Sequence, residues 1–157
     1  ISQPLTVAAM TEALSVSRGQ KILEIGTGSG YQAAILSLIV EEKGKIITLE
    51  VNKEVYEFGK NNLERTGTKG VKQSYENVEA IFSDGSAGYE KEAPYDRIIV
   101  TASAKEIPEE LIKQLKINGI MIIPVGEEMF RIIKVSGKEI KKEFMGYYAF
   151  VPLKENK

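Results

Sequence analysis

A short apolar strand that runs directly into a glycine-rich turn constrains the fold more than any other feature of this chain. Residues 21–25 predict a buried strand, and Gly26, Gly28 and Gly30 follow it at every second position. Glycine tolerates positive φ and lets a ligand approach the backbone closely. Residues 31–40 are apolar on nearly every face, which predicts a helix packed against a sheet. A plain tight turn between strand and helix would also explain the glycines, so the interpretation depends on the rest of the chain.

Strand and helix patterns alternate through most of that remainder. Further strands are predicted at 45–51, 78–82, 95–101 and 120–125, and helices at 4–16, 53–65 and 108–115. This alternation predicts an α/β fold with a doubly wound, mostly parallel sheet and right-handed crossovers. Residues 130–135 and 143–151 flank a Ser-Gly-Lys turn and predict antiparallel strands at the C-terminal edge. We expect one domain over residues 1–157.

The composition restricts the chemistry. Among 157 residues there is no cysteine and no histidine, which removes thiolate nucleophiles, the commonest general base and the commonest transition-metal ligand. We therefore expect no metal. A net charge of -1 argues against a nucleic-acid partner, and no apolar stretch approaches the ~20 residues of a membrane span. We expect a cytoplasmic monomer without a membrane or nucleic-acid partner.

Candidate binding residues follow the predicted strands, because ligands of such sheets lie beyond the carboxyl ends of the strands. Glu50 ends the second strand, and its carboxylate can accept hydrogen bonds from ribose hydroxyls. Asp84 and Gly85 end the third, where an Asp can accept the amine of adenine and a Gly leaves room for the ring. A helix cap at Glu50 and an ordinary Asp-Gly turn are the alternatives. The predicted nucleotide site comprises Gly26, Thr27, Gly28, Gly30, Glu50, Val51, Asp84 and Gly85.

Tyr31 decides between two classes of nucleotide ligand. Dinucleotide-binding turns follow G-x-G-x-x-G/A, in which the last small residue permits close packing of helix on strand. Counted from Gly26, that place is taken by the bulky Tyr31, and a glycine stands one position earlier. A nicotinamide oxidoreductase is therefore disfavoured. The E-x-G-x-G-x-G pattern beginning at Glu24 instead resembles the first motif of S-adenosylmethionine-dependent methyltransferases, which implies a Rossmann-like class I methyltransferase fold.

The fourth predicted strand has different residues at its two ends. Thr101 and Ala102 follow it, and their small side chains would leave space for a methyl acceptor, although Thr101 could equally be a satisfied strand-end hydroxyl. Asp96 stands at the opposite end, away from the expected site, and we interpret it as structural. The lysine-rich segment 134–142 is predicted to be a solvated edge of the late hairpin.

Segments from both ends of the chain resemble one particular family, the protein-L-isoaspartate (D-aspartate) O-methyltransferases. The similar segments are Ile1-Ser2-Gln3-Pro4, residues 23–34, Asp84-Gly85, residues 93–96, Pro124-Val125-Gly126 and Phe150-Val151-Pro152-Leu153. The glycine-rich and Asp-Gly motifs are shared among methyltransferases, whereas the first and last segments are far more specific. Two departures are Ser83, where the family usually has Gly, and the absence of the several dozen residues that normally precede Ile-Ser-Gln-Pro.

The resemblance implies a reaction and further site residues. The family transfers the methyl group of S-adenosylmethionine to the free carboxylate of L-isoaspartyl and D-aspartyl residues in damaged proteins, which initiates repair and leaves S-adenosylhomocysteine. It implies that Ser2 orients the acceptor and that Ile1, Gln3, Thr101 and Ala102 shape its pocket. A carboxylate of pKa near ~4 arrives ionised and needs no general base. The alternatives are a helix cap for Ser2 and, for the chain, a truncated non-catalytic relative or a methyltransferase with another substrate.

Overall fold

The computed structural model describes residues 2–65 and 75–154, and within them seven strands form one sheet. The strands are β1 (Lys21–Ile25), β2 (Lys45–Glu50), β3 (Val78–Phe82), β4 (Tyr95–Val100), β5 (Leu115–Val125), β6 (Glu128–Lys134) and β7 (Ile140–Tyr147). Their spatial order is β3-β2-β1-β4-β5-β6-β7. The first five pair in parallel, and β6 and β7 add antiparallel strands at one edge. The predicted fold class is confirmed.

Helices cover both faces of the sheet. They are α1 (Pro4–Leu14), α2 (Tyr31–Val40), α3 (Lys53–Glu64) and α4 (Glu109–Gln114), with a 3₁₀ turn at Glu90–Glu92. Alternate residues of β1 enter two separate cores, because successive side chains of a strand point to opposite faces. Ile22 packs with residues of α1 and α2, whereas Leu23 and Ile25 pack on the side of α4. None of the helices in these ranges is long and apolar enough to cross a membrane.

The strand order places a crevice between β1 and β4. The chain leaves β1 toward β2 on one side and reaches β4 on the other, so the connections that follow these two neighbours diverge at the carboxyl edge of the sheet. The glycine-rich turn follows β1, and Thr101 follows β4. The sheet therefore brings the two predicted site segments together.

Two arginines of the sheet hold the C-terminal end of α1. Arg97 Nε donates to the carbonyl oxygen of Leu14 at 2.7 Å, and Arg131 Nε donates to that of Ala13 at 2.8 Å. These donors satisfy carbonyl groups that a helix end leaves without intrahelical partners. Ser15 adopts a left-handed conformation with φ of 52°, so α1 ends two residues before the predicted position. At its other end, the N-cap Gln3 makes no side-chain capping hydrogen bond.

Asp96 joins three strands at the amino edge of the sheet, opposite the crevice. Its carboxylate accepts hydrogen bonds from the backbone N–H of Lys21 at 2.9 Å and from Lys116 Nζ at 2.8 Å. Partial burial acts to raise the pKa of Asp96, but the hydrogen bonds from Lys116 and Lys21 outweigh it and leave the pKa below its usual range. This geometry agrees with a structural interpretation of Asp96.

The expectation of a solvated lysine-rich edge is wrong for Lys134. Its side chain is buried, and its Nζ donates to the carbonyl oxygens of Ile112 at 2.8 Å, Lys113 at 3.3 Å and Leu115 at 2.7 Å. Strand alternation turns Lys134 toward the C-terminal end of α4, where carbonyl groups lack helical partners and the helix dipole favours a cation. Residues 137–142 are exposed, as predicted.

Replacing Lys134 with Met should lower the free energy of unfolding by about 2 kcal/mol, because three carbonyl groups would lose their donor. The matched control is Lys138→Met in the exposed β6–β7 turn, which should change stability by less than about 0.5 kcal/mol. Urea unfolding of both variants measures the difference. Equal stabilities would show that Lys134 does not act as a cap.

Candidate functional site

A cavity of about 650 Å³ opens at the carboxyl edge of the sheet. Its walls come from the glycine-rich turn, residues 49–52 at the end of β2, Thr101 and Ala102 after β4, and the C-terminal segment 149–154. Ser2 and the apolar side chains of Val7 and Met10 line it from the side of α1. The volume is that of a pocket for a drug-sized ligand.

The turn after β1 requires glycine at three positions. Gly26, Gly28 and Gly30 have φ of 97°, 54° and 82°, in the left-handed region that L side chains rarely adopt. A Cβ on Gly26 would also overlap Thr101 Oγ1, and a Cβ on Gly30 would lie 2.8 Å from Leu63 Cγ. The backbone N–H groups of Gly26 and Thr27 both donate to the carbonyl oxygen of Leu49, at 2.8 and 3.1 Å. The turn is therefore held against the end of β2.

Glu50 closes the turn from the end of β2. Its Oε2 accepts a hydrogen bond from the Gly28 N–H at 3.2 Å, and its Oε1 accepts one from the Asn52 N–H at 3.0 Å. Each carboxylate oxygen has a second lone pair, and Glu50 lines the cavity beside Val51. The alternative role as a helix cap belongs to Asn52, whose Oδ1 accepts the Val55 N–H at 3.1 Å.

Thr101 joins the end of β4 to the same turn. Its hydroxyl lies within donating distance of the carbonyl oxygens of Gly26 at 2.8 Å and Ile25 at 3.0 Å. It is thus a satisfied strand-end hydroxyl, and it also lines the cavity together with Ala102. The two interpretations of Thr101 are compatible.

The third predicted strand end reaches the cavity through Gly85. That residue is buried and lines the wall, and a Cβ there would lie 2.6 Å from Ile25 Cγ2. Asp84 Oδ1 accepts the Ser86 N–H at 2.8 Å. Among the predicted site residues within 2–65 and 75–154, Gln3, Gly30 and Asp84 do not line the cavity. Ile1 lies outside the described residues.

The two ends of the chain meet at this cavity. Ser103 N–H donates to the Val151 carbonyl oxygen at 2.8 Å, and Leu153 N–H donates to the Ser103 carbonyl oxygen at 2.8 Å. These bonds fasten the C-terminal segment beside the end of β4. Ser2 lines the cavity, as do Val151, Pro152 and Leu153. The segments most specific to the resembled family therefore share a wall with the glycine-rich turn.

Glu24 is a site residue that the motif contained but the sequence did not single out. It is fully buried, its Oε2 accepts a 2.6 Å hydrogen bond from Thr48 Oγ1, and its Oε1 has no hydrogen-bond partner among the described residues. The side chain lines the cavity. Burial and the nearby charge of Glu50, opposed by the bond from Thr48, raise the pKa of Glu24 to about 8.

Gly59 is a second residue that sequence reasoning missed. It lies buried within α3, and a Cβ there would stand 2.5 Å from the Gly28 carbonyl oxygen and 2.9 Å from Thr27 Cγ2. Helix α3 therefore supports the turn by direct backbone contact. The available signal was a glycine inside a helical pattern, which lowers helix stability and indicates a packing reason.

Comparison with known proteins agrees with this geometry. The family model described as "Protein-L-isoaspartate(D-aspartate) O-methyltransferase" matches residues 1–157. A protein-L-isoaspartate O-methyltransferase of Pyrobaculum islandicum is 46% identical over 99% of this chain and 74% of its own length. The chain belongs to the protein-L-isoaspartate (D-aspartate) O-methyltransferase family.

Solved structures of this family share the fold. A structure titled protein-L-isoaspartate O-methyltransferase superposes with a TM-score of 0.88 at 31% identity, covering 99% of this chain and 49% of that one. A putative family member from Plasmodium falciparum, in complex with S-adenosyl-L-homocysteine, gives a TM-score of 0.84 at 29% identity, covering 99% of this chain and 76% of that one. The present chain thus spans about half of the first structure and about three quarters of the second.

The cavity suits S-adenosylmethionine, the cofactor that the motif implies. That ligand combines a ribose, which needs hydrogen-bond acceptors, with a positive sulfonium and an ammonium group. Two carboxylates, Glu24 and Glu50, line the cavity, whereas Lys154 is the one lysine or arginine that lines it among the described residues. The residues that line this wall therefore fit a cationic nucleoside.

Gly59→Ala should weaken S-adenosylmethionine binding about tenfold, or about 1.4 kcal/mol, because the added methyl group displaces the Gly28 carbonyl and the turn with it. Gly137→Ala is the matched control, since a Cβ at Gly137 has no atom within 4 Å. Isothermal titration calorimetry measures both affinities. An unchanged affinity of Gly59→Ala would mean that the turn can shift to accommodate the methyl group without weakening the binding of S-adenosylmethionine.

Stability should fall with rising pH because of Glu24. Its pKa is about 8 in the folded protein and 4.5 ordinarily, so between these values the folded state binds more protons than the unfolded state. The contribution of Glu24 is therefore complete below about pH 4.5 and is lost as the pH rises through about 8, by on the order of 5 kcal/mol. Asp96, whose pKa is lowered, acts at more acidic pH.

Urea unfolding of the ligand-free protein at a series of pH values measures this loss. Glu24→Gln, which stays neutral, should remove most of the decline, and Glu139→Gln in the exposed β6–β7 turn should preserve it. A decline of equal size in Glu24→Gln would assign the pH dependence to other groups.

Proposed function

We propose that this chain transfers the methyl group of S-adenosylmethionine to the free carboxylate of L-isoaspartyl and D-aspartyl residues in damaged proteins, with S-adenosylhomocysteine as product. The observation that carries the proposal is the meeting of Ser2 and the Val151–Leu153 segment with the glycine-rich turn in one cavity. Membership of the isoaspartate methyltransferase family supports it. We also propose that residues 1–157 act as one domain and as a cytoplasmic monomer.

The proposed cofactor residues lie at the carboxyl ends of β1, β2 and β3. Glu50 lies at the end of β2, where its second lone pairs can accept ribose hydroxyls. The backbone of Gly26, Thr27 and Gly28 takes the amino-acid portion, and Gly85 and Val51, which both line the cavity, contact the adenosine. We propose that Asp84 accepts a hydrogen bond from the amine of adenine. Gly30 contributes indirectly, because its lack of a side chain leaves room for Leu63 beside the turn.

The chain needs no general base for this reaction. A carboxylate acceptor has an ordinary pKa near ~4 and is ionised at neutral pH, which agrees with a sequence that lacks histidine and cysteine. When bound, S-adenosylmethionine supplies an electrophilic methyl group on a positive sulfur. Catalysis by the protein then consists of alignment of acceptor and donor and exclusion of water.

Ser2, Thr101 and Ala102 form the proposed acceptor side. Ser2 stands just before α1 and lines the cavity, so its hydroxyl can donate to one carboxylate oxygen and leave the other free to attack. The buried Val7 and Met10 line the same side and exclude water. Arg97 and Arg131 hold the far end of α1 and so fix the position of this wall.

The decisive experiment is transfer of a radiolabelled methyl group to an isoaspartyl peptide beside its normal aspartyl twin. The proposal predicts label on the isoaspartyl peptide alone. Equal labelling of both peptides would indicate another substrate. Binding of S-adenosylmethionine without transfer to either peptide would favour a non-catalytic relative.

Ser2→Ala and Glu50→Ala should separate the two halves of the site. Ser2→Ala should lower kcat/KM for the isoaspartyl peptide about 10- to 100-fold, because a hydrogen bond to a charged group is lost, and leave cofactor affinity unchanged. Glu50→Ala should weaken cofactor binding first, by a similar factor. Loss of both properties in Ser2→Ala would remove Ser2 from the acceptor site, and unchanged affinity in Glu50→Ala would remove Glu50 from the cofactor site.

A further inference from the structure

Glu24 lines the cavity, is completely buried and has one carboxyl oxygen without a hydrogen-bond partner among the described residues. Its side chain is 0% exposed, and the oxygen without a partner is Oε1. A buried acceptor without a partner costs on the order of 1–3 kcal/mol, and more when it is charged. The folded chain therefore leaves this carboxyl group to be satisfied by what enters the cavity.

Within residues 2–65 and 75–154, no cation is among the charges that act on Glu24. In the sheet it pairs with Thr48 of β2 and Ile99 of β4, and the charge that acts on it is the carboxylate of Glu50. The helices α1 and α2 add Val7, Met10 and Gln32 to the same cavity. The other titratable side chains that line it, Tyr31 and Lys154, are exposed.

A short hydrogen-bond chain connects Glu24 to the cofactor turn. Thr48 Oγ1 donates to Glu24 Oε2 at 2.6 Å, and the hydroxyls of Thr27 and Thr48 lie 2.8 Å apart. Thr27 belongs to the glycine-rich turn. Glu24 is thus positioned below the backbone that the proposed function assigns to the amino-acid portion of the cofactor.

We propose that Glu24 is a proton-coupled receptor for the positive charge of the cofactor. It is neutral in the ligand-free protein, releases its proton to solvent when the sulfonium form binds, and takes a proton from solvent again once methyl transfer has left a neutral thioether. The inference rests on the proposed function, because it takes S-adenosylmethionine as the ligand.

The difference in charge between cofactor and product gives the proton release and uptake by Glu24 a role in exchanging one for the other. S-adenosylmethionine carries one more positive charge than S-adenosylhomocysteine, which has the same adenosine and amino-acid groups. An ionised Glu24 is compensated by the sulfonium but, after transfer, stands in a buried site beside Glu50 with less compensation. The ionised residue therefore favours cofactor over product, and its reprotonation accompanies product formation.

The pKa of about 8 sets the size of the expected signal. Most Glu24 side chains carry a proton at about pH 7, so binding of S-adenosylmethionine should release a readily measured fraction of one proton. S-adenosylhomocysteine should release clearly less. The affinity for S-adenosylmethionine should rise by up to about tenfold per pH unit between about pH 6 and pH 8 and level off above.

Calorimetric titrations in two buffers of different protonation enthalpy measure the proton release of the unmodified protein directly. Glu24→Gln should abolish the release and make the affinity independent of pH, whereas Glu139→Gln in the exposed β6–β7 turn should behave as the parent. Infrared spectroscopy of the unmodified protein gives a second readout that needs no variant. A band of a protonated carboxyl group should disappear with S-adenosylmethionine and persist with S-adenosylhomocysteine.

Binding of S-adenosylmethionine without proton release would overturn this inference alone and leave the proposed function standing. Equal release with both ligands, or undiminished release by Glu24→Gln, would overturn it as well. Failure of the unmodified protein to bind S-adenosylmethionine would overturn the proposed function together with the inference.

Discussion

The turn after β1 is held on three sides, and the rest of the site depends on that restraint. Leu49 and Glu50 of β2 accept its N–H groups, Thr101 after β4 donates to the Gly26 carbonyl oxygen, and Gly59 of α3 contacts it through the Gly28 carbonyl. Three left-handed glycines allow the backbone to meet all of these partners. Such a turn is preorganised, so a ligand that binds along it loses little affinity to ordering of the chain.

The same parallel sheet explains why one cavity gathers segments distant in sequence. The carboxyl ends of β1, β2 and β4 meet at one edge, and the crevice between β1 and β4 opens there. The bonds between Ser103 and residues 151 and 153 bring the C-terminal segment to that edge, and α1 brings Ser2. Glu50 and the buried Glu24 both line this wall, and we expect it to favour a positively charged ligand.

Local patterns in the sequence predicted most of the architecture. The alternation of strands and helices predicted the doubly wound sheet, and the spacing of glycines with the following Glu50 predicted the cavity wall that the structure contains. Element ends were less predictable, because the arginine side chains that cap α1 beside the left-handed Ser15 come from distant strands. Asp84, predicted from its position at a strand end, does not line the cavity, and Ile1, implied by the resemblance, lies outside the described ranges. Both stay predictions.

Long-range contacts account for what the sequence could not predict. Lys134 belongs to a lysine-rich run, and nothing in that run indicates that strand alternation turns this one ammonium group toward the end of α4. In the sequence, Gly59 is a single glycine in a helical pattern. Only the packing of α3 against the glycine-rich turn shows that a side chain at this position would clash with the turn. Glu24 belongs to the glycine-rich motif, but the sequence does not show that one of its carboxyl oxygens lacks a hydrogen-bond partner among the described residues. That follows from the packing of β2, β4 and the helices around it.

A crystal structure of this chain with S-adenosylhomocysteine tests the central claim most directly. The account predicts the ligand in the cavity at the carboxyl edge of the sheet, with the ribose hydroxyls within hydrogen-bond distance of Glu50 and the amino-acid portion along Gly26–Gly28. A ligand bound elsewhere, or bound in this cavity with Glu50 turned away from the ribose, would contradict it.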